Sequence, residues 1–221
     1  MQSTGPIVRT SESALATNKV LRNTYMLLAM TLLFSASMAG VSMFFDLGRG
    51  VGMGAFIAAI VLIWFVLPRV EDSSAGIYVV FAFTGLLGLA IGPTVEYYLN
   101  YPNGSQIVAV AMGGTGTIFL GLSAYVLTTK KDFSFLGGFM FVGLLVAIVA
   151  MIANMFLQIP VLSVAISAAV ILIMSGFILF DTSRIINGGE TNYLRATVSL
   201  FLNIYNIFQN LLFLVGMGGD D

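Results

Sequence analysis

Phe135–Leu157 reads FLGGFMFVGLLVAIVAMIANMFL, a stretch without a single charged side chain. An α-helix needs about 20 predominantly apolar residues to cross the hydrocarbon core of a bilayer. The stretch is therefore long enough and apolar enough to form a transmembrane helix.

Six further apolar runs flank this one, and short connections rich in Gly, Pro and Asn separate them, as is typical of chain reversals between helices. The sequence therefore predicts an all-α membrane protein, a bundle of seven transmembrane helices. Pro93 is expected to kink the third span or end it early, because proline removes a backbone donor. The six runs are Tyr25–Phe45, Val51–Leu67, Gly76–Leu99, Ile107–Thr128, Val161–Ile186 and Tyr193–Met217.

The overall composition agrees with a membrane protein. Hydrophobic residues make up 58% of the chain, charged residues only 9%, and the mean hydropathy is +1.00. A soluble domain carries about 25% charged residues, so a soluble enzyme is excluded. The net charge of −1 argues against a nucleic-acid partner. The absence of cysteine and histidine excludes thiolate catalysis, Ser-His-Asp triads and histidine metal sites.

The distribution of Lys and Arg predicts the orientation. With the N-terminus in the cytoplasm, eight cations lie on the inner side of the seven spans and one, Arg49, lies on the outer side. Cytoplasmic loops of membrane proteins carry this excess of positive charge. A cytoplasmic N-terminus and a periplasmic C-terminus are therefore expected. The inner cations are Arg9, Lys19, Arg22, Arg69, Lys130, Lys131, Arg184 and Arg195.

Polar segments flank the predicted membrane domain, which covers residues 25–217. Residues 1–24 are rich in Ser and Thr and are expected to form a flexible cytoplasmic tail. Residues 218–221 form a short acidic tail that ends in Asp220 and Asp221. A cleavable signal peptide is the alternative interpretation of the N-terminus, but the first apolar run is longer than a signal peptide requires.

Small residues recur at a spacing of four within two spans. Gly88 and Gly92 form a G-x-x-x-G pattern in the third span, and Gly113, Thr117 and Gly121 repeat that spacing in the fourth. Such spacing lets two helix backbones approach closely. We interpret these glycines as contacts between helices of one bundle rather than as a homodimer face.

Asp181 is the residue most suggestive of a function, because a carboxylate inside a membrane is costly and marks a candidate site. It lies about 8 Å from the expected end of its helix, at 1.5 Å per residue. Two structural alternatives stay open. Arg184 follows at i+3 and can pair with it, and Arg195 at the start of the last span lies at a similar depth.

The last span presents a polar stripe made of Ser199, Asn203, Asn206 and Asn210. Steps of four, three and four place these side chains on one helix face, which Arg195 extends toward the cytoplasm. The stripe is expected to face the bundle interior, either as interhelical hydrogen bonding or as part of a conducting path. The candidate ion or proton site consists of Asp181, Arg195, Ser199, Asn203 and Asn206.

The sequence does not favour catalysis, a cofactor or a bound metal. An intramembrane aspartyl protease needs two facing aspartates. Asp181 is the only acid well inside a span, since Glu96 lies near the outer surface. We therefore expect a protein that is not an enzyme.

The chain resembles the Bax inhibitor-1 family. The similarity lies in Phe180-Asp181-Thr182, in Gly85-Leu86-Leu87-Gly88, in Gly92-Pro93 and in the layout of the last span. Longer matches are similar to the bacterial YccA branch of that family, and the resemblance extends over nearly the whole chain. They are residues 19–25 (KVLRNTY), 123–129 (SAYVLTT), 135–138 (FLGG) and 188–193 (GGETNY).

The resemblance implies a multi-pass protein of the bacterial inner membrane. For this branch it implies association with FtsH, a membrane-anchored ATP-dependent protease, as modulator and as slow substrate. An AAA protease must grip an unstructured segment, and residues 1–24 offer one, with Thr10, Ser11 and Glu12 as candidate contacts.

The wider family implies an alternative function, a pH-sensitive calcium leak through the region of helices 6 and 7. In that mechanism two aspartates on the last two helices share a proton. Asp181 matches the first position, but Asn203 occupies the second and cannot ionise. A shared proton needs two carboxylates, so this sequence weakens the calcium-leak expectation and favours the protease modulator.

Overall fold

Seven long helices make up a computed structural model that describes the backbone of residues 6–218 and the side chains of residues 15–218. The predicted all-α class and the seven spans are confirmed, and the described residues contain no strand. The helices are α1 (Pro6–Phe44), α2 (Arg49–Val70), α3 (Ala75–Leu99), α4 (Gly104–Thr129), α5 (Leu136–Leu157), α6 (Pro160–Ile186) and α7 (Tyr193–Met217).

The first helix begins earlier than the sequence predicts. Its backbone is helical from Pro6 rather than from Tyr25, so the segment expected to be a flexible tail, residues 1–24, has helical backbone from residue 6 onward. The segment lacks a continuous apolar run but contains Ala, Leu, Lys and Arg, which favour helix, and Pro6 occupies a position where proline starts one. Val20 and Leu21 then pack against the core and fix the inner part of this extension. The side chains of Thr10, Ser11 and Glu12 and the acidic end with Asp220 and Asp221 lie outside the described residues.

Helix α2 contains a π-helical segment at Leu62–Val66 between an α-helix that ends at Val61 and a last turn at Leu67–Val70. A π-helical turn inserts one extra residue per turn and occurs often at functional sites. Nothing in the residue pattern of this span predicted it.

Pro93 does not end helix α3, which continues to Leu99. A proline at this position leaves the carbonyl group of Leu89 without its helical donor. The Ser42 hydroxyl of α1 donates to that carbonyl oxygen at 3.0 Å. A neighbouring helix thus satisfies the freed acceptor, as is usual for proline in membrane helices, and the expectation of an early end is wrong.

Helices α3 and α7 are the most deeply buried spans in the described part of the chain, and these two and α6 each pack against four neighbours. Helix α3 packs most extensively along α1, and α7 lies against α1, α3, α4 and α6. Among the described residues, the backbone of α5 lies close only to α6, and that of α2 lies close only to α3. The two peripheral helices therefore leave much of their surface to lipid.

The glycines differ in their surroundings. A Cβ atom on Gly88 would lie 2.2 Å from the carbonyl oxygen of Ser35, and one on Gly92 would lie 2.4 Å from Cβ of Ser42. Both glycines therefore lie in the tight α1–α3 contact. Gly113 and Gly121 have open space where a Cβ would lie, so the packing prediction for these two is wrong within this chain. Helix α4 turns other residues toward its neighbours.

Candidate functional site

Asp181 of α6 lies at the centre of a hydrogen-bonded group that joins α6 to α7. Its Oδ2 atom accepts a hydrogen bond from the Ser199 hydroxyl at 2.7 Å and another from the Asn203 amide at 2.8 Å. Asp181 is 8% exposed and Asn203 is 6% exposed. Both partners of this buried carboxylate are neutral donors.

The local sequence explains why these three side chains meet. Ser199 and Asn203 are one helical turn apart and share a face of α7. The short connection 187–192 reverses the chain, and Gly188 takes a positive φ of 74° within it. Asp181 stands five residues before the end of α6 and Ser199 six residues after the start of α7, so both lie about 8 Å below the same end of the bundle.

The connections 71–74, 130–135 and 187–192 lie at that end, which we call the Glu71 end. The opposite end, which we call the Arg49 end, carries the connections 45–48, 100–103 and 158–159. The Glu71 end holds the excess of cations, whereas Arg49 is the lone Lys or Arg of the other end among the described residues.

Neither arginine near Asp181 forms an ion pair with it. Arg195 pairs with Glu71 at 3.3 Å and with Glu190 at 3.4 Å, and Arg184 lies 3.7 Å from Glu190. The structural alternatives in which Arg184 or Arg195 pairs directly with Asp181 are therefore wrong. Long arginine side chains extend toward water and there meet the loop carboxylates. The pairs are partly exposed and each stabilises by less than about 1 kcal/mol.

A cavity of about 370 Å³ lies beneath this ion-pair group. Asp181 and Ser199 line its inner part, and Glu71, Glu190 and Arg195 surround its mouth at the Glu71 end. Ile63 of the π-helical segment and Leu202 of α7 belong to its apolar wall. The cavity thus connects a buried carboxylate to a charged rim.

The cavity offers little for a metal ion. Within the described residues, no group of three or more Asp, Glu, His or Cys side chains is placed to hold a metal. The site therefore contains a single carboxylate that accepts hydrogen bonds and can take up a proton.

The comparison with protein families gives the identity of the fold. Residues 17–220 match the family model described as Inhibitor of apoptosis-promoting Bax1. The chain belongs to the Bax inhibitor-1 family.

Bacterial relatives within the Bax inhibitor-1 family match nearly the whole chain. A membrane protein of Vibrio cholerae serotype O1 is 49% identical over 97% of each chain. The protein named Modulator of FtsH protease YccA of Escherichia coli K12 is 49% identical over 95% of this chain and 94% of its own. A counterpart from Escherichia coli O6:H1, equally similar, is named Inner membrane protein YccA. Together with the seven spans, these relatives make the chain a multi-pass inner-membrane protein.

Several residues that shape this Bax inhibitor-1 site were not predicted. Glu71 and Glu190 hold the arginines away from Asp181. Asn192 caps α7 by accepting from the backbone N–H groups of Leu194 and Arg195, and its amide donates to the Glu71 carbonyl oxygen at 2.9 Å. An asparagine directly before a helix is a recognisable N-cap signal, but its contact with a distant loop has no local signal.

A second polar contact ties α6 to the α4–α5 connection. The Ser183 hydroxyl oxygen accepts from the backbone N–H of Phe133 at 2.8 Å. Ser134 donates to Asp132 from its hydroxyl and its backbone N–H, and these hydrogen bonds hold the pKa of Asp132 below its usual value. The loop carboxylate is therefore ionised at neutral pH.

Asn206 does not join the Asp181 group. Its amide donates to the carbonyl oxygen of Leu202, and the Asn210 amide donates to that of Asn206 in the same helix. Of the five candidate site residues, the structure brings Asp181, Ser199 and Asn203 together, places Arg195 at the cavity mouth, and turns Asn206 toward a different cavity.

Proposed function

We propose that this protein binds and modulates a membrane-anchored ATP-dependent protease of the FtsH type and is itself slowly degraded by it. The observation that carries the proposal is the 49% identity, over 95% of the chain, to the protein named Modulator of FtsH protease YccA. No catalytic role is inferred for any residue of the site. Co-purification from native membranes, followed by mass spectrometry, tests the proposal, and recovery of FtsH at stoichiometric amounts is the expected result.

The Asp181 group supports an interaction protein rather than a channel. One carboxylate links α6 to α7 by accepting hydrogen bonds from two neutral donors. A shared-proton latch needs a second carboxylate, and Asn203 stands in its place.

A pH-sensitive calcium or cation leak is the second candidate function. One observation favours it, the cavity of about 370 Å³ that gives Asp181 a route to the Glu71 end. A buried carboxylate at the base of such a cavity can exchange protons or meet cations. Calcium flux through the parent and through Asp181→Asn separates this candidate from the first.

The proposal requires the Glu71 end to face the cytoplasm, as the cation asymmetry predicts. A reporter that is active only in the cytoplasm is expected to work when fused to the N-terminus or inserted after Lys131, and to fail at the C-terminus. A reporter active only in the periplasm serves as the control and should give the opposite pattern. Cytoplasmic activity at the C-terminus would contradict the seven-span count if the N-terminal fusion is also active, and the orientation if it is not.

The N-terminal segment is the proposed handle for the protease. Helix α1 has 39 residues, which corresponds to about 58 Å, almost twice the thickness of the hydrocarbon core. Its inner part is held by the bundle: Thr197 donates to the Thr24 carbonyl oxygen, and Tyr25 lies 3.4 Å from the Thr182 hydroxyl. The candidate contacts Thr10, Ser11 and Glu12 precede Val20, the first described residue that packs against the core.

Deleting residues 3–14 is expected to block degradation while leaving complex formation intact. The protease loses its first grip, whereas the packed residues from Val20 onward keep the fold. The deletion protein should therefore persist and inhibit FtsH. Pulse-chase labelling measures its turnover, and co-purification measures the complex.

A variant with residues 3–14 in shuffled order is the matched control. It keeps the length and composition of the segment but not the order of its residues. If the protease recognises only length and composition, turnover of the shuffled variant should equal that of the parent. Unchanged turnover of the deletion protein would reject the handle, and loss of the complex would show that the segment binds rather than feeds the protease.

A further inference from the structure

Helix α2 leaves a lateral groove in the bundle. In the part of the chain that the structure describes, its backbone approaches only that of α3 closely, and no such backbone contact joins it to α7. A cavity of about 500 Å³ fills the resulting gap between α2, α3 and α7. Met53, Phe56 and Trp64 line it and are 67%, 45% and 74% exposed, so the groove opens sideways toward the membrane.

The groove changes its chemistry from one end to the other. Arg49 lines it at the Arg49 end. Thr94 and Gln209 also line it and lie roughly 8 and 12 Å inside that end, counted along α3 and α7. The deeper wall is mostly apolar, with Ile60, Ile63, Trp64 and Leu87, and Tyr205 and Asn206 of α7 add polar groups to it. The lining therefore runs from a cation through hydrogen-bonding side chains to a mostly apolar wall.

Arg49 is free to bind an anion. Among the described residues no carboxylate lies within ion-pair distance of it. Its guanidinium group sits 5.6 Å from the centre of the Tyr97 ring, and a contact with a ring face leaves the N–H donors available. Arg49 is also the first residue of α2, where the helix dipole favours negative charge.

We propose that the groove binds a phospholipid, with its phosphate at Arg49 and one acyl chain along α2. Thr94 and Gln209 lie at the depth of the ester groups and can donate hydrogen bonds to them. The distance from Arg49 to Trp64 along α2 is roughly 22 Å, enough to accommodate the chain below the phosphate. Pockets for small ligands combine a mostly apolar wall with a few polar groups in this way.

The order of the lining favours lipid over a partner helix. A transmembrane helix is predominantly apolar and does not require a cation followed by hydrogen-bond donors at one end. A phospholipid presents an anionic headgroup, then ester groups and then a hydrocarbon chain. This order matches the order of the groove lining. The groove wall is also continuous with surface that bilayer lipid already covers.

Trp64 is the only tryptophan of the chain and reports on the groove directly. Phosphatidylglycerol with bromine atoms near its chain ends is titrated into the full-length protein in detergent, and quenching of tryptophan fluorescence is recorded. Saturable quenching at one lipid per protein is expected. Brominated diacylglycerol, which lacks the phosphate, is expected to bind about five-fold more weakly, the loss of one arginine–phosphate attraction.

Two variants test the two halves of the site. Arg49→Gln should weaken phosphatidylglycerol about five-fold, to the level of diacylglycerol. Ala90→Phe, at a half-buried residue that lines the groove, should abolish saturable quenching by filling it. The matched controls are Arg69→Gln at the other end of α2 and Ala58→Phe on its exposed face, and both should bind as the parent does. Gel filtration confirms that each variant is folded.

Quenching that rises linearly with lipid, or that saturates equally in all variants, would overturn the proposal. A photoreactive amino acid at Met53 gives an independent check in native membranes. Crosslinks to phospholipid support the assignment, and crosslinks to a protein instead would show that the groove receives a partner helix and would reject it.

Discussion

The Asn203→Asp variant is expected to leak calcium from dye-loaded liposomes at a rate that rises with pH, whereas the parent shows no such pH dependence. The Asn203 amide lies 2.8 Å from Oδ2 of Asp181. An aspartate at this position places two carboxyl groups side by side in a site shielded from water. Two ionised carboxylates at that distance repel, so the pair retains one proton. Loss of that proton at higher pH drives α6 and α7 apart beside the cavity.

Neighbouring variants make this prediction specific. Asn206→Asp adds the same charge three residues along α7, where the side chain faces its own helix rather than Asp181, and it should not leak. The double variant Asp181→Asn with Asn203→Asp returns the site to a single carboxylate and should abolish the leak. Flux is measured between about pH 5 and 8, the range in which coupled carboxylates release their second proton.

The parent protein decides between the two candidate functions. If the parent already conducts calcium with a clear pH midpoint, and Asp181→Asn removes it, the cation leak becomes the primary function. In the interaction protein that we propose, Asp181→Asn loses a charged hydrogen-bond acceptor and lowers stability by about 1–2 kcal/mol, without a change in flux.

The Gly88→Ala variant is expected to lose about 3 kcal/mol of stability or more. Its Cβ would meet the Ser35 carbonyl oxygen at 2.2 Å, the Ser35 carbonyl carbon at 2.9 Å and Cβ of Met38 at 3.0 Å. These atoms belong to the α1 backbone or lie next to it, so a rotamer change cannot relieve the contact. The helices must separate, and overpacking of this kind destabilises by about 1–3 kcal/mol even where relaxation is possible.

Gly113→Ala is the matched control for Gly88→Ala. It makes the same change in a membrane helix, but no atom lies within 4 Å of the new Cβ. Alanine is the better helix former, so this variant should be as stable as the parent or slightly more so. Melting in detergent, followed by gel filtration, measures both, and a drop of about 10 °C is expected for Gly88→Ala alone. Equal melting of the two variants would contradict the close α1–α3 contact.

The seven spans could be predicted from the sequence because their signals are local. Hydropathy over about 20 residues reports directly on whether a helix can cross a bilayer, and the helical period placed Ser199 and Asn203 on one face. A single buried acid, Asp181, was enough to mark the candidate site, since few other residues of the spans bear a charge.

The partners of Asp181 required the tertiary structure. Arg184 and Arg195 are close to it in sequence or depth, and local reasoning favoured them as ion-pair partners. Their long side chains reach the loop residues Glu71 and Glu190 instead. Which of several reachable carboxylates an arginine meets depends on how three loops come together, and no pattern within one span contains that information.

The contacts of the glycines and of α2 were likewise decided by packing. A spacing of four residues marks a face that permits close approach, and the same spacing leads to tight contact at Gly88 and to open space at Gly113. Whether a neighbour occupies that face depends on the positions of all seven helices. The sequence by itself determined the membrane class, the number of spans and the buried acid, because each follows from the cost of placing a given side chain in hydrocarbon. Only the tertiary structure decided which helices touch, which charges pair and where a groove separates α2 from α7. These features depend on contacts between residues far apart in the chain.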